Sequence, residues 1–120
     1  MGTKVMCVDD SPTIRMLVKQ NLVPEGFEVV EAEDGQDGLN KLSADIALFL
    51  VDVNMPVMNG FDFVKSVKAS GDYSSKPVVF LTTESGVDKK SVGKELGVNG
   101  WIVKPFEPES LIKIVTMLAK

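Results

Sequence analysis

A chain of 120 residues with 44% apolar and 25% charged side chains has the size and make-up of one soluble domain, large enough to bury roughly two-thirds of its unfolded surface. Its net charge of −4 argues against nucleic acid as a general partner, which would require a basic stripe, and no apolar run reaches the roughly 18 residues that span a bilayer. The absence of histidine excludes Ser-His-Asp and Cys-His catalysis, His-ligated zinc and a phosphohistidine carrier role, and the lone Cys7 excludes an internal disulfide.

Cys7 reads as a buried small hydrophobe, and the N-terminal segment carries no signal-peptide pattern, so the expected location is the cytoplasm. Lys4–Val8 predicts a first strand. Ser11 is placed to cap a helix with Pro12 at its first position, and Ile14, Leu17, Val18 and Leu22 mark its apolar stripe. Pro24 to Gly26 is a turn, and Phe27–Glu31 alternates apolar and acidic residues like an edge strand with one wet face. A short helix is expected over Gly35–Leu42. Ile46–Val51 is continuously apolar, as a central parallel strand covered on both faces should be. After the loop Asp52–Gly60 comes a helix over Phe61–Ala69, with Phe61, Val64 and Val67 facing inward, then a polar loop at Gly71–Lys76. Pro77–Thr82 is a second buried strand. Val87–Leu96 is a weak helix interrupted by Gly93, Gly100–Val103 a short strand, and Pro108–Ala119 a closing amphipathic helix with Leu111, Val115 and Leu118 on one face.

This βα alternation, five times over, predicts a doubly wound α/β domain with a parallel sheet and right-handed crossovers. No linker, repeat or low-complexity segment interrupts it, so residues 1–120 are expected to form one domain.

In such sheets, sites form beyond the carboxyl ends of the strands. Asp9 and Asp10 follow the first strand, Asp52 the third, Thr82 and Thr83 the fourth, and Lys104 with Pro105 the fifth. Three carboxylates at one edge repel one another by a few kcal/mol per pair in a protein-surface dielectric. A hard divalent cation offsets that repulsion, and Mg²⁺ suits one or two carboxylates plus water and phosphate oxygens. A glycine-rich dinucleotide fingerprint and a Walker A loop are both absent. An aspartate carboxylate can itself be the nucleophile in phosphoryl transfer, where positioning and charge neutralisation matter more than acid–base work.

Each residue also has a plainer reading. Asp9 and Asp10 could be only an anion-favouring helix start, Asp52 and Asn54 loop residues, Thr82 and Thr83 strand-end hydroxyls, and Lys104 a solvated lysine. Trp101 is equally an edge aromatic packing on the last helix. Lys89, Lys90 and Lys94 make a basic helix face, either solvated or a docking surface for an acidic partner, shared with Trp101 and widened by Ile112 and Met117.

The motifs Val8-Asp9-Asp10-Ser11, Val51-Asp52-Val53-Asn54-Met55-Pro56 with Gly60 following, Leu81-Thr82-Thr83-Glu84 and Val103-Lys104-Pro105-Phe106, in this order and each at a strand end, closely resemble the response-regulator receiver family of two-component phosphorelay signalling, and within it the stand-alone chemotaxis type. The resemblance covers essentially the whole chain. It implies a flavodoxin-like five-stranded parallel sheet of order 2-1-3-4-5 with helices on both faces. It implies Asp52 as phosphoacceptor, with Mg²⁺ held by the side chains of Asp10 and Asp52, by Asp9 through water or neighbouring contacts, and by the Asn54 carbonyl. Thr82 would sense the phosphoryl group and Lys104 contact it, with Trp101 as a switch residue. The Lys104–Pro105 bond would be cis. Asn54 and Glu84 resemble the polar pair of chemotaxis receivers whose aspartyl phosphates hydrolyse quickly, implying a short-lived signal.

The partners implied are a histidine kinase as donor, a downstream protein target such as a flagellar motor switch component, and a phosphatase, with the chain itself a monomer without an output domain. It would catalyse only its own phosphorylation and dephosphorylation and not be an enzyme in the usual sense. Trp101 stands where many relatives carry Tyr or Phe, and Thr83 replaces a very small residue; both bear on switching. Three rivals remain: a shuttle passing its phosphate to a histidine phosphotransfer protein, an aspartate-nucleophile phosphatase, whose second Asp two residues after the nucleophile is missing beside Asp9-Asp10, and a phosphate-independent interaction module.

Overall fold

The computed structural model describes residues 3–53, 58–69, 73, 75–82, 97–104 and 106–119. Strands β1 (Thr3–Val8), β2 (Phe27–Ala32), β3 (Ile46–Asp52), β4 (Val78–Thr82) and β5 (Gly100–Val103) form one parallel sheet in the order β2-β1-β3-β4-β5, as expected. Between and after them run α1 (Pro12–Leu22), a 3-10 turn (Val23–Glu25), α2 (Gly35–Asn40), α3 (Gly60–Ala69) and α4 (Pro108–Leu118). The weak helix expected at Val87–Leu96, with Lys89, Lys90 and Lys94, lies outside the described residues, as do Asn54, Thr83, Glu84 and Pro105.

Successive strand residues point to opposite sheet faces, and the core divides accordingly. Met6, Val8, Phe49, Val51, Val78 and Phe80 join Phe63, Val64 and Val67 of α3 on one face. Val5, Cys7, Leu48, Leu50, Val79 and Leu81 meet Val18 and Leu22 of α1 and Leu111 and Val115 of α4 on the other. Both faces of β3 and β4 are therefore covered, which is why their sequences read as unbroken apolar runs. Truncating a buried phenylalanine such as Phe49 to alanine costs about 3–5 kcal/mol in such a core.

The ends of α1 follow the chemistry of its sequence. The Ser11 hydroxyl accepts a hydrogen bond from Ile14 N at 3.3 Å, and Pro12 opens the helix. Beyond the 3-10 turn, Gly26 takes φ 94°, a left-handed conformation that a side chain would strain.

Three details depart from the sequence reading. Leu17 is not in the stripe of α1 but 38% exposed; the seam runs through Val18 and Leu22, and Arg15 takes the flank. Phe63, absent from the expected stripe of α3, is fully buried, while Phe61 is only partly so. Helix α2 stops at Asn40 rather than Leu42. Its Gly38 serves packing rather than helix stability, since a Cβ there would meet the Phe63 ring at 2.7 Å.

Candidate functional site

Parallel pairing brings the carboxyl ends of β1, β3, β4 and β5 to one edge of the sheet. The pairing continues past the strands. Asp9 N donates to Ala32 O at 3.0 Å, Val53 N to Leu81 O at 3.1 Å, and Lys104 N to Thr82 O at 2.7 Å. Main-chain bonds to a neighbouring strand thus hold Asp9 and Lys104 directly, and Asp52 through the residue that follows it.

The Asp9 side chain is fully buried and Asp52 is 5% exposed, while Asp10 faces solvent. One carboxylate oxygen from each of the three lies within 4.8 Å of the other two. Lys104 enters from the far side, its Nζ 2.7 Å from Asp9 Oδ2 and 3.3 Å from Asp52 Oδ1. Asp9 Oδ1 accepts from Ser11 N at 2.9 Å. Thr82 is buried at the end of β4, beside Asp52 in the sheet order.

One lysine does not balance this cluster. Burial and the Asp9 charge push the Asp52 carboxyl up to about 6, against the pull of Lys104. Burial draws the Lys104 ammonium down, but the hydrogen bond and charge of Asp9, then Asp52, outweigh it and leave its pKa raised. The carboxylates therefore retain an excess of negative charge, and the exposed Asp10 leaves a solvent-facing side open. A cation that binds through carboxylate oxygens and keeps several waters fits this donor set.

Gly60, the first residue of α3, presses against the other side of Asp52. Its N–H donates to Val53 O at 3.0 Å, and a Cβ at this position would collide with the main-chain carbonyl of Asp52. Only a glycine lets the helix begin this close to the acidic centre.

The sequence reading did not single out Arg15. Its Nη1 donates to the Asp9 carbonyl at 2.6 Å and its Nε to Glu31 Oε1 on β2 at 3.3 Å. The available signal was a charged residue interrupting the inward face marked by Ile14, Val18 and Leu22.

Trp101 sits on β5 opposite Phe80, their ring centroids 5.2 Å apart, and Phe61 meets Phe80 edge-on at 5.3 Å. Its outer side borders a groove of about 310 Å³ between β5 and α4, lined also by Val103, Phe106, Glu107, Ser110 and Ile114. Val103 and Met117 are 46% and 57% exposed, whereas Ile112 packs into the core.

The sequence matches the response regulator receiver domain over residues 5–116. It is 42% identical to the chemotaxis protein CheY1 of Helicobacter pylori strain J99 over 111 residues, 90% of each chain. It is 40% identical to the CheY homologue of Campylobacter jejuni serotype O:23/36, covering 90% of this chain and 85% of that one. The crystal structure of Vibrio cholerae CheY4 at low pH superposes with a TM-score of 0.93 at 44% identity, over 98% of this chain and 99% of that chain. Fold, acidic edge and sequence agree, and the chain belongs to the response regulator receiver domain family, where it is similar to the CheY chemotaxis proteins.

Proposed function

We propose that Asp52 is the phosphoacceptor of this receiver and that the phosphohistidine of a histidine kinase is its donor. A carboxylate oxygen of Asp52 attacks phosphorus in line, the P–N bond breaks, and its electron pair leaves with the imidazole. Lys104 lies 3.3 Å from an Asp52 oxygen and supplies positive charge where the phosphoryl oxygens would gather. The Thr82 hydroxyl is the donor on the β4 side. Asp9, Asp10 and Asp52 would hold Mg²⁺, which when bound neutralises charge on the transferred group. The observation that carries this reading is the convergence of three carboxylates and one ammonium around an acceptor that is itself nearly buried.

Output is by protein contact. Trp101, which borders the groove, packs against Phe80 of β4, two residues before Thr82 at the end of that strand. A phosphoryl group on Asp52 would bias two arrangements of this face, and a target protein, of the class of a flagellar motor switch component, would bind one of them. The chain would act as a cytoplasmic monomer and turn over no substrate but its own phosphate. Asn54 and Glu84 would shorten the life of that phosphate by orienting water.

Intact mass after incubation with a small acyl-phosphate donor tests the reading. The expected result is one added phosphoryl group in the presence of Mg²⁺, none without it, none in Asp52→Ala, and loss of the group within minutes to hours. No addition to the wild type with either the small donor or a phosphorylated kinase would sink it.

A further inference from the structure

Arg15 lies outside the acidic pocket yet ties the Asp9 end of β1 to β2 and α1. Its side chain is 15% exposed and spans two strands: Nη1 holds the Asp9 carbonyl at 2.6 Å, and Nε holds Glu31 on β2 at 3.3 Å. Glu31 is anchored in turn, because Lys41 Nζ donates to its main-chain oxygen at 2.8 Å and Lys19 Nζ stands 4.0 Å from its carboxylate. Arg15 also belongs to α1 through its N–H, which donates to Ser11 O at 3.1 Å. The turn from Asp9 to Ser11 is thereby fixed at both ends: by the Ala32 and Arg15 bonds to the main chain of Asp9, and by Ser11 in the first turn of the helix. Asp10 stands between these two anchors, its side chain exposed to solvent and hydrogen-bonded toward Asp52.

We propose that Arg15 is a positioning residue for divalent-cation binding, holding the Asp9–Asp10 turn in the geometry that brings both carboxylates toward Asp52. This rests on the reading of the three carboxylates as a cation site. The guanidinium suits the task because it serves two acceptors in fixed directions, which a lysine ammonium on a flexible stem does not. Residues that orient metal ligands from outside typically govern 10- to 100-fold of affinity.

Electrostatics and positioning make opposite predictions here. If Arg15 acted only as a nearby positive charge, its removal would strengthen cation binding. If it positions the ligands, removal weakens binding despite the lost repulsion.

The test is calorimetric titration of the full chain with MgCl₂, for wild type, Arg15→Met, Arg15→Lys and Glu31→Gln, each first checked for a cooperative thermal melt. The expected results are a dissociation constant raised by about tenfold or more in Arg15→Met, partial recovery in Arg15→Lys, and a smaller rise in Glu31→Gln, which keeps the Asp9 contact. A structural role alone would lower the melting temperature and leave the affinity of the folded protein unchanged. An unchanged or tighter constant in Arg15→Met overturns the proposal while leaving the cation site standing. If that variant fails to fold, an unchanged constant in both Arg15→Lys and Glu31→Gln overturns it equally. A wild type that takes up no Mg²⁺ overturns the site and the proposal together.

Discussion

Lys104 Nζ lies 2.7 Å from Asp9 Oδ2, joining the ends of β5 and β1 across the two strands that separate them in the sheet. With Asp9 fully buried and the lysine side chain 11% exposed, this is an interior ion pair held between residues far apart in sequence. The ammonium occupies the charge-neutralising place that a cation would share, so the two compete for the same carboxylates.

Replacing Lys104 by methionine should therefore tighten Mg²⁺ binding by about tenfold, the equivalent of roughly 1.4 kcal/mol of relieved repulsion. Calorimetric titration measures it; weaker binding would mean that the lysine organises the carboxylates rather than competing for them.

Asp52 gives a pH dependence with a definite sign. Its folded-state pKa of about 6 lies above the ~3.9 of an unfolded aspartate. The folded state therefore binds more protons between these values, and stability falls as pH rises from about 4 to about 6, then levels. Asp52→Asn removes the burial penalty of the charge. In metal-free buffer at pH 7 it should melt higher than wild type by about 4 °C or more, the shift that roughly 1 kcal/mol produces in a domain near this size. The difference should vanish near pH 4 and shrink when Mg²⁺ is added. Thermal melts across pH, with and without chelator, check all three.

Ser11 separates helix capping from ligand positioning. Ser11→Ala loses the bond from Ile14 N but keeps its own N–H to Asp9 Oδ1. It should cost about 1 kcal/mol in urea denaturation, with the Mg²⁺ dissociation constant unchanged within about twofold. A larger change in affinity would assign the hydroxyl a part in the site.

Gly60→Ala places a methyl against the Asp52 carbonyl. The backbone of β3 or the start of α3 must shift, at a cost of about 1–3 kcal/mol or more. With Asp52 as the proposed acceptor, phosphoryl uptake from a small donor should fall with it, because Asp52 moves relative to Lys104. Denaturation and intact mass on the same sample test the pair of effects.

The sheet was legible because burial on both faces leaves a direct mark: Ile46–Val51 and Pro77–Thr82 could be read from apolarity and length alone. The acidic edge was legible for a related reason, since charged residues directly after buried strands have few other places to be. Which aspartate is buried was not legible. Asp9 and Asp10 are adjacent and chemically alike, and only the hydrogen bonds to Ala32, Ser11 and Lys104 distinguish them. Phe63 was missed because its place depends on Gly38 in another helix, a contact that local periodicity does not carry. Arg15 was missed because its one mark, a charge among Ile14, Val18 and Leu22, does not tell which acceptors on the neighbouring strands the side chain reaches.

Gly60 has a consequence for heredity. Every missense change open to a glycine codon installs a Cβ, and at position 60 each one would strike the main chain of Asp52 itself. This position offers a lineage no graded choices: it is kept, or the centre is disturbed. Adjustments of signal lifetime or cation preference must be written at other codons, around a point that drift cannot use.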